Sequence, residues 1–270
     1  MWIYIVLGVL AALVALYLVA IAPGRRADIK EYVGVRFAHR GLHNAEREEN
    51  SMSAFRAAVE AGYGIELDIR LSKDGELVVF HDDTLTRVAK IEGRVDEFTA
   101  DELAKIKLGD TEDTVPRFAD VLALVDGKVP LLVEIKEDAG NYRVSARAAE
   151  VLSNYKGRFI VESFNPLSLG NFKKLCPEPA RGVLSTDYMK DKKYRKPMYL
   201  LLRALMLNRV ASPAFIAYHH TDKSLSLSIL RHLFRVVTFA WTVRSPEEEA
   251  AALAAGYDGV IFENYIPEDK

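Results

Sequence analysis

Glu66 and Asp68 stand two residues apart in the run 65–69, so on a β-strand both carboxylates face one side while Ile65, Leu67 and Ile69 face the other. Glu134 repeats the pattern inside the apolar run 131–136, with Lys136 on its own face. Neighbouring acids repel one another at neutral pH, and a divalent cation relieves that repulsion. An all-oxygen ligand set suits one hard cation, Mg²⁺ or Ca²⁺, better than zinc. Two plainer readings compete: acids on a solvated face, which so apolar a strand around Glu134 argues against, and a buried Glu134–Lys136 ion pair. His39 and His81 each end an apolar run, 35–39 and 77–81, and two histidines at strand ends near acids fit a general acid and base. Arg40 offers a bidentate fork and Lys136 a point charge, both suited to a phosphate.

These residues need elements that bring them together. Asp74-Gly75 between two apolar runs predicts a two-residue hairpin loop. In that register Lys73 pairs with Glu76 and, stepping outward, Asp68 pairs with His81. Strand signals continue at 159–164, 181–184, 215–218, 237–243 and 259–263. Helix signals lie between them. Ser51 caps a helix that Gly62 ends, Thr99 and Glu102 form a capping box, Pro116 opens a helix that Gly127 ends, and 142–155 is amphipathic. Asn165-Pro166 and Ser245-Pro246 each read as a cap followed by proline at the first helical position. Eight apolar strands alternating with helices over 34–267 predict an α/β fold, a (β/α)₈ TIM barrel carrying a small β-hairpin flap. An open doubly wound sheet is the alternative, and no glycine-rich nucleotide loop follows the first strand to support it. Sites in such barrels lie at the carboxyl ends of the strands, where these acids and histidines fall.

Residues 2–22 carry no charge, and at about 1.5 Å per residue they span roughly the 30 Å hydrocarbon core of a bilayer. No basic residue precedes them, and Pro23 directly follows the small-residue site at Ala20-Ile21-Ala22, which argues against a cleaved signal peptide. The chain therefore divides into a transmembrane anchor at 1–23, a linker at 24–33 and a catalytic domain at 34–267. Arg25, Arg26 and Lys30 follow the apolar run and predict a single-pass cell-membrane protein with its catalytic domain on the cytoplasmic side. A formal net charge of −2 gives no support for nucleic acid as a partner. The single cysteine, Cys176, excludes an internal disulfide and reads as a small apolar residue near a helix end. Segment 188–210 joins a basic run, Lys190, Lys192, Lys193, Arg195 and Lys196, to an apolar one from Met198 to Leu207. It reads as an outer barrel helix with a solvated basic loop, or as a surface docking on anionic lipid. His43, His219, His220 and His232 are given no role and are expected in surface or loop positions.

The chain resembles the glycerophosphodiester phosphodiesterases over most of its length beyond the linker. The resemblance rests on His39-Arg40-Gly41, Glu49-Asn50-Ser51 before Ala54-Phe55, Glu66-x-Asp68, Asp74-Gly75, His81-Asp82, Glu134-Ile135-Lys136, Ser163-Phe164-Asn165 and Trp241-Thr242-Val243. It implies a barrel with one divalent ion on Glu66, Asp68 and Glu134, His39 and His81 as acid and base, and Arg40 and Lys136 on the phosphate. It further implies attack by the neighbouring glycerol hydroxyl on phosphorus, through a cyclic phosphate that water opens, with the metal lowering the pKa of that hydroxyl. Trp241 is then a stacking surface for glycerol or, more plainly, core; Asn165 is a helix cap or a substrate contact. The chain has Glu48 where the family usually has proline, and Phe262-Glu263 where the family usually has Thr-Asp. The implied activity is hydrolysis of glycerophosphodiesters to an alcohol and glycerol 3-phosphate. The alternatives are lysophospholipase D-like hydrolysis of membrane lysophospholipids and a non-catalytic, membrane-anchored phosphodiester-binding protein.

Overall fold

The computed structural model describes residues 1–24, 28–137, 140–194 and 196–268. Its elements run α1 Trp2–Ile21, β1 Arg36–Ala38, α2 Met52–Ala61, β2 Gly64–Leu71, β3 Leu77–Val79, α3 Thr86–Ala89, α4 Ala100–Leu103, α5 Phe118–Val125 and β4 Leu131–Ile135. They continue with α6 Arg143–Leu152, β5 Phe159–Ser163, α7 Pro166–Leu175, β6 Arg181–Ser185, α8 Pro197–Arg203, α9 Asn208–Ala211, β7 Phe215–His219, α10 Leu225–His232, β8 Val237–Val243, α11 Pro246–Ala254 and β9 Gly259–Phe262. Eight strands pair in parallel, and β1 pairs with both β2 and β9, which closes the barrel. Strand β3 pairs antiparallel with β2 and forms the flap.

Two apolar layers hold the barrel. Ile65, Leu67, Ile69, Leu131 and Val133 face outward and pack with helical side chains such as Phe55 and Phe118. Phe37, Leu132, Ile160, Phe215, Phe239 and Ile261 fill the interior. The expected caps are present: Ser51 Oγ accepts from Ala54 N–H, Gly62 closes α2 at φ 76°, and Thr99 and Glu102 cap each other's backbone reciprocally. The helix expected from Pro116 starts at Phe118 instead, two residues later. Cys176 is the buried C-cap of α7.

Three expectations need correction. The hairpin register is shifted by one: Ile69 pairs with Val79 and Leu71 with Leu77, so Asp68 lies opposite Phe80, whose N–H donates to the Asp68 carbonyl, rather than opposite His81. The loop holds three residues, with Gly75 at φ 83° and its N–H donating to the Ser72 carbonyl. In the stretch read as a linker, described residues make packing contacts: Gly24 N–H donates to the Pro213 carbonyl, and Ile29 and Tyr32 are buried on the barrel interior cluster. Segment 188–210 is no single outer helix. It breaks into two short 3₁₀ turns, α8 and α9. Arg25, Arg26 and Arg195, which enter the orientation and basic-run arguments, lie outside the described residues.

Between β3 and α5, the chain from Phe80 to Val115 folds over its own apolar cluster, in which Phe80, Leu85, Val88, Val95, Leu103 and Leu108 are buried. This insertion stands on the flap, beside the carboxyl end of β2.

Candidate active site

Parallel pairing puts Asp68 beside Glu134 and Glu134 beside Glu162, so three inward carboxyls form one row across β2, β4 and β5. Glu66 lies one inward position deeper on β2, level with Leu132. The apolar interior forms the floor beneath this row, and all four acids are buried. One oxygen each of Glu66, Asp68 and Glu134 lies within 4.8 Å of the others. Lys136 Nζ stands 2.7 Å from Glu134 and 3.1 Å from Asp68, so the Glu134–Lys136 ion pair is present together with the acid cluster.

Charge in this pocket is unbalanced. Burial, and then the charges of Asp68, Glu134 and Glu162, push the Glu66 carboxyl well above the usual range. Burial also raises Glu134 and Glu162. Burial alone would raise Asp68 as well, but the charges of Lys136 and Arg40 and the hydrogen bond from Asn50 outweigh it and hold its carboxyl well below the usual range. Asp68 Oδ1 is buried and, among the described residues, meets only the Lys136 ammonium, at 3.1 Å. Buried carboxylates in excess of their cations, with three oxygens of Glu66, Asp68 and Glu134 converging, are a hard donor set that fits a divalent cation.

The two histidines flank the same cleft, whose lining includes His39, Arg40, Glu66, His81, Glu134 and Trp241. His39 follows β1, and its Nδ1 lies 2.6 Å from Glu263, the residue directly after β9. Burial alone would raise Glu263, but the hydrogen bond and charge of His39, with the charge of Arg244, bring it down to about 2. His81 Nδ1 lies 2.6 Å from Asp82. Burial lowers the pKa of both rings, His81 to about 4. Each imidazole thus engages a carboxylate through Nδ1, which fixes the ring and leaves Nε2 for proton transfer. His81 reaches the site although its register is shifted, because Arg70 on β2 donates twice to the His81 carbonyl, at 2.9 and 2.7 Å.

The Glu49-Asn50 pair explains itself locally. Asn50 Nδ2 donates to Asp68 at 2.8 Å, and Glu49 accepts from Arg40 Nη1 at 2.7 Å. Arg40 and Asn50 both take left-handed backbone angles, each at φ 55°, and Asn50 N–H donates to the Arg40 carbonyl. The Arg40 N–H is thereby turned onto Glu66, at 2.9 Å. Left-handed non-glycine residues are uncommon and gather where a side chain must be aimed. Gly41 beside them is at φ 82°, and a Cβ there would press on Ala54. Arg87 on the insertion completes a ring, because it donates to Asp82 at 2.6 Å and to both Glu49 oxygens at 2.7 and 2.9 Å.

Sequence reading did not assign roles to Glu49, Asn50, Asp82, Arg87, Glu162 or Glu263. Glu162 had a signal, since it is an acid in an apolar strand just as Glu134 is, and Asp82 had one as the neighbour of His81; Asn50, Arg87 and Glu263 depend on contacts 18 to 224 residues away in sequence. Asn165 is a helix cap, accepting from Leu167 and Ser168 N–H. Trp241 is half-buried, its Nε1 donating to the Ser185 carbonyl and its ring edge-on to Phe164 at 5.5 Å. Both residues line a groove of about 750 Å³ that runs from Glu134 and Lys136 to Tyr188, Tyr199, Met198 and Leu202. His43 and His220 lie in loops as expected, but half-buried, near Glu263 and Glu248 respectively; His219 ends β7 and meets the Trp241 ring edge-on.

The sequence model of the glycerophosphoryl diester phosphodiesterase family matches residues 39–266. A glycerophosphodiester phosphodiesterase of Caldanaerobacter subterraneus subsp. tengcongensis is 32% identical over 238 residues, covering 84% of this chain and 93% of its own. One of Bacillus altitudinis is 31% identical over 244 residues, covering 83% and 92%. Among solved structures, an Oleispira antarctica phosphodiesterase in complex with the product sn-glycerol-3-phosphate shares the fold with a TM-score of 0.72 at 22% identity, covering 86% of this chain and 94% of that one.

Proposed function

The chain belongs to the glycerophosphodiester phosphodiesterase family, and from that premise we propose that Glu66, Asp68 and Glu134 hold one divalent cation while His39 and His81 move the protons. It is a phosphoric diester hydrolase; the proposed products are an alcohol and glycerol 3-phosphate, the product named for the Oleispira relative. The supporting observation is that three buried carboxylates, two carboxylate-held histidines and two cationic side chains surround one cleft. A non-catalytic phosphodiester binder has no use for the two histidines so held.

Arg40 and Lys136 neutralise the phosphate and orient it by fork and point charge. One histidine accepts the proton of the glycerol hydroxyl as its oxygen forms a bond to phosphorus. The other donates a proton to the departing alkoxide as the P–O bond breaks. Water then opens the cyclic phosphate with the two roles exchanged. A bound cation would add charge stabilisation of the phosphoryl oxygens and lower the hydroxyl pKa. Trp241 and Asn165, on the wall of the groove, are placed to meet the organic part of the substrate.

A second reading has its own observation. The groove continues from the cleft along Phe164, Tyr188, Met198, Leu202 and Leu207, an apolar wall of the kind an acyl chain would meet. Lysophospholipids are therefore proposed as further substrates. The test is choline release from glycerophosphocholine and from lysophosphatidylcholine by the purified full chain, with Mg²⁺, Ca²⁺ or EDTA. Turnover of both, abolished by EDTA, is the expected result. Turnover of the lysolipid alone overturns the leading substrate, and turnover in EDTA overturns the metal site.

Residues 34–267 are the proposed catalytic domain and 1–23 its membrane anchor. Helix α1 is long and apolar enough to cross a membrane by length and composition. That reading gives a cell-membrane location, and Arg25, Arg26 and Lys30 after the apolar run give a cytoplasmic catalytic domain.

Arg87 touches neither phosphate nor the three acids, yet it ties Asp82 to Glu49 and so couples His81 to Arg40. Arg87→Ala is expected to lower kcat by about tenfold, which corresponds to about 1.4 kcal/mol. The melting temperature should move little, because the side chain is half exposed and such ion pairs add little stability. Steady-state kinetics beside a thermal melt check this, and a large loss of stability with unchanged kcat would make Arg87 a structural residue only.

A further inference from the structure

The direction in which α1 leaves the barrel constrains how the enzyme sits on a membrane. Tyr17 Oη lies 2.8 Å from Ser226 Oγ, near the start of α10, and α10 follows the carboxyl end of β7. That contact is at the mouth of the barrel. Asn208 Nδ2 donates to the Ile21 carbonyl at 2.9 Å, and Gly24 N–H donates to the Pro213 carbonyl, just before β7 begins. Those contacts approach the base. From Tyr17 to Gly24 the chain therefore descends from mouth to base, and the helix before Tyr17 projects beyond the mouth. Residues 1–16 are all exposed, and burial begins at Tyr17.

This projection is short. Trp2 to Leu16 at about 1.5 Å per residue gives about 22 Å, against the roughly 30 Å hydrocarbon core of a bilayer. A span of that length draws the body onto the membrane surface and puts the mouth at the interface. The surface at the mouth has suitable chemistry. Helix α8, which follows the carboxyl end of β6, exposes Met198, Leu200 and Leu201. Around them Lys190, Lys192, Lys193 and Lys196 are exposed; Lys190 pairs with Asp222 and Lys193 with Asp191, the one acid of segment 188–210, while Lys192 and Lys196 have no ion pair among the described residues. Exposed aliphatic side chains rimmed by lysine suit the boundary of an anionic bilayer.

We propose that the mouth of the barrel docks on an anionic bilayer through α8, so that the groove leading to the active site opens toward lipid. This rests on the reading of α1 as a membrane span. Substrate then enters from the membrane side, and the base of the barrel, with Lys128 in the turn before β4, faces the aqueous phase.

The test uses the full chain in a Cys176→Ser background, carrying Leu200→Cys or Lys128→Cys labelled with an environment-sensitive fluorophore. The labelled protein is reconstituted in phosphatidylcholine–phosphatidylglycerol vesicles containing nitroxide-labelled lipid. The label at 200 is expected to be quenched about twofold or more, because a docked side chain lies about 5–10 Å into the headgroup–acyl boundary. The label at 128 should be unaffected. Absence of quenching at 200 in protein that floats with the vesicles overturns the docking and leaves the anchor standing. Failure to float overturns both. Turnover of glycerophosphocholine by the same sample reports on the hydrolase reading separately, since neither labelled position lines the cleft.

Discussion

Replacing Glu66 with alanine is expected to lower kcat/KM by roughly a thousandfold, about 4 kcal/mol, because cation-based stabilisation of a phosphoryl transition state is worth several kcal/mol. The carboxylate is buried, accepts from Arg40 N–H and lies within reach of Asp68 and Glu134. Calorimetric titration with Mg²⁺ or Ca²⁺ should show binding to the parent protein and none to Glu66→Ala. Glu162→Gln is the informative comparison. Glu162 stands in register with Glu134 and is buried, and burial, with the charge of Glu134, pushes its carboxyl well up. Burial disfavours the charged form of this carboxyl and glutamine keeps its size, so cation affinity and turnover should stay within about threefold of the parent, well under the tenfold that 1.4 kcal/mol represents. Normal turnover in Glu66→Ala, or loss of cation binding in Glu162→Gln alone, would move the metal site to other residues.

What the sequence reveals about this site depends on sequence distance. The acids announce themselves because inward and outward positions alternate along a strand, and a charged residue in an apolar run is visible at once. Ser51, Thr99, Asn165 and Ser245 act as caps because capping is decided within four residues. The hairpin register differs by one residue from the expected one because Asp74-Gly75 suits more than one loop. Here Asp74 is held by Ser72 Oγ and by Ala100 N–H on the insertion, and that distant contact accompanies the three-residue turn. His81 still arrives at Asp68 because it has left the ladder and Arg70 holds its carbonyl, which pairing rules do not predict. The insertion over 80–115 shows in the sequence only through its Thr99–Glu102 capping box, for another reason. Its helices have four residues each, too short for periodicity to register, and they are held by packing against Phe80 and Leu103. Glu263 shows the limit of motif reading, because the chain departs from the family pattern there and yet places a carboxylate on His39.

The division of labour between His39 and His81 follows from chemistry that a change of leaving group exposes. Loss of a general acid or base costs about 10²–10⁴ in rate, so His39→Ala and His81→Ala should each lower kcat by that amount on glycerophosphocholine. The leaving alcohol of that substrate has a high pKa and must be protonated as it departs. A nitrophenyl ester of glycerol phosphate departs as a stable phenolate and needs no proton. The variant lacking the acid should therefore recover most of its activity on the nitrophenyl ester, and the variant lacking the base should not. The carboxylates behind the rings sharpen the assignment. Glu263→Gln and Asp82→Asn keep their shape but remove the charge that favours imidazolium in His39 and His81 respectively. The substitution behind the acid should share the rescue by nitrophenol, at a smaller initial loss. If both histidine variants are rescued, or neither, proton transfer is not divided between the two rings, and the acid–base pair proposed for this cleft is wrong.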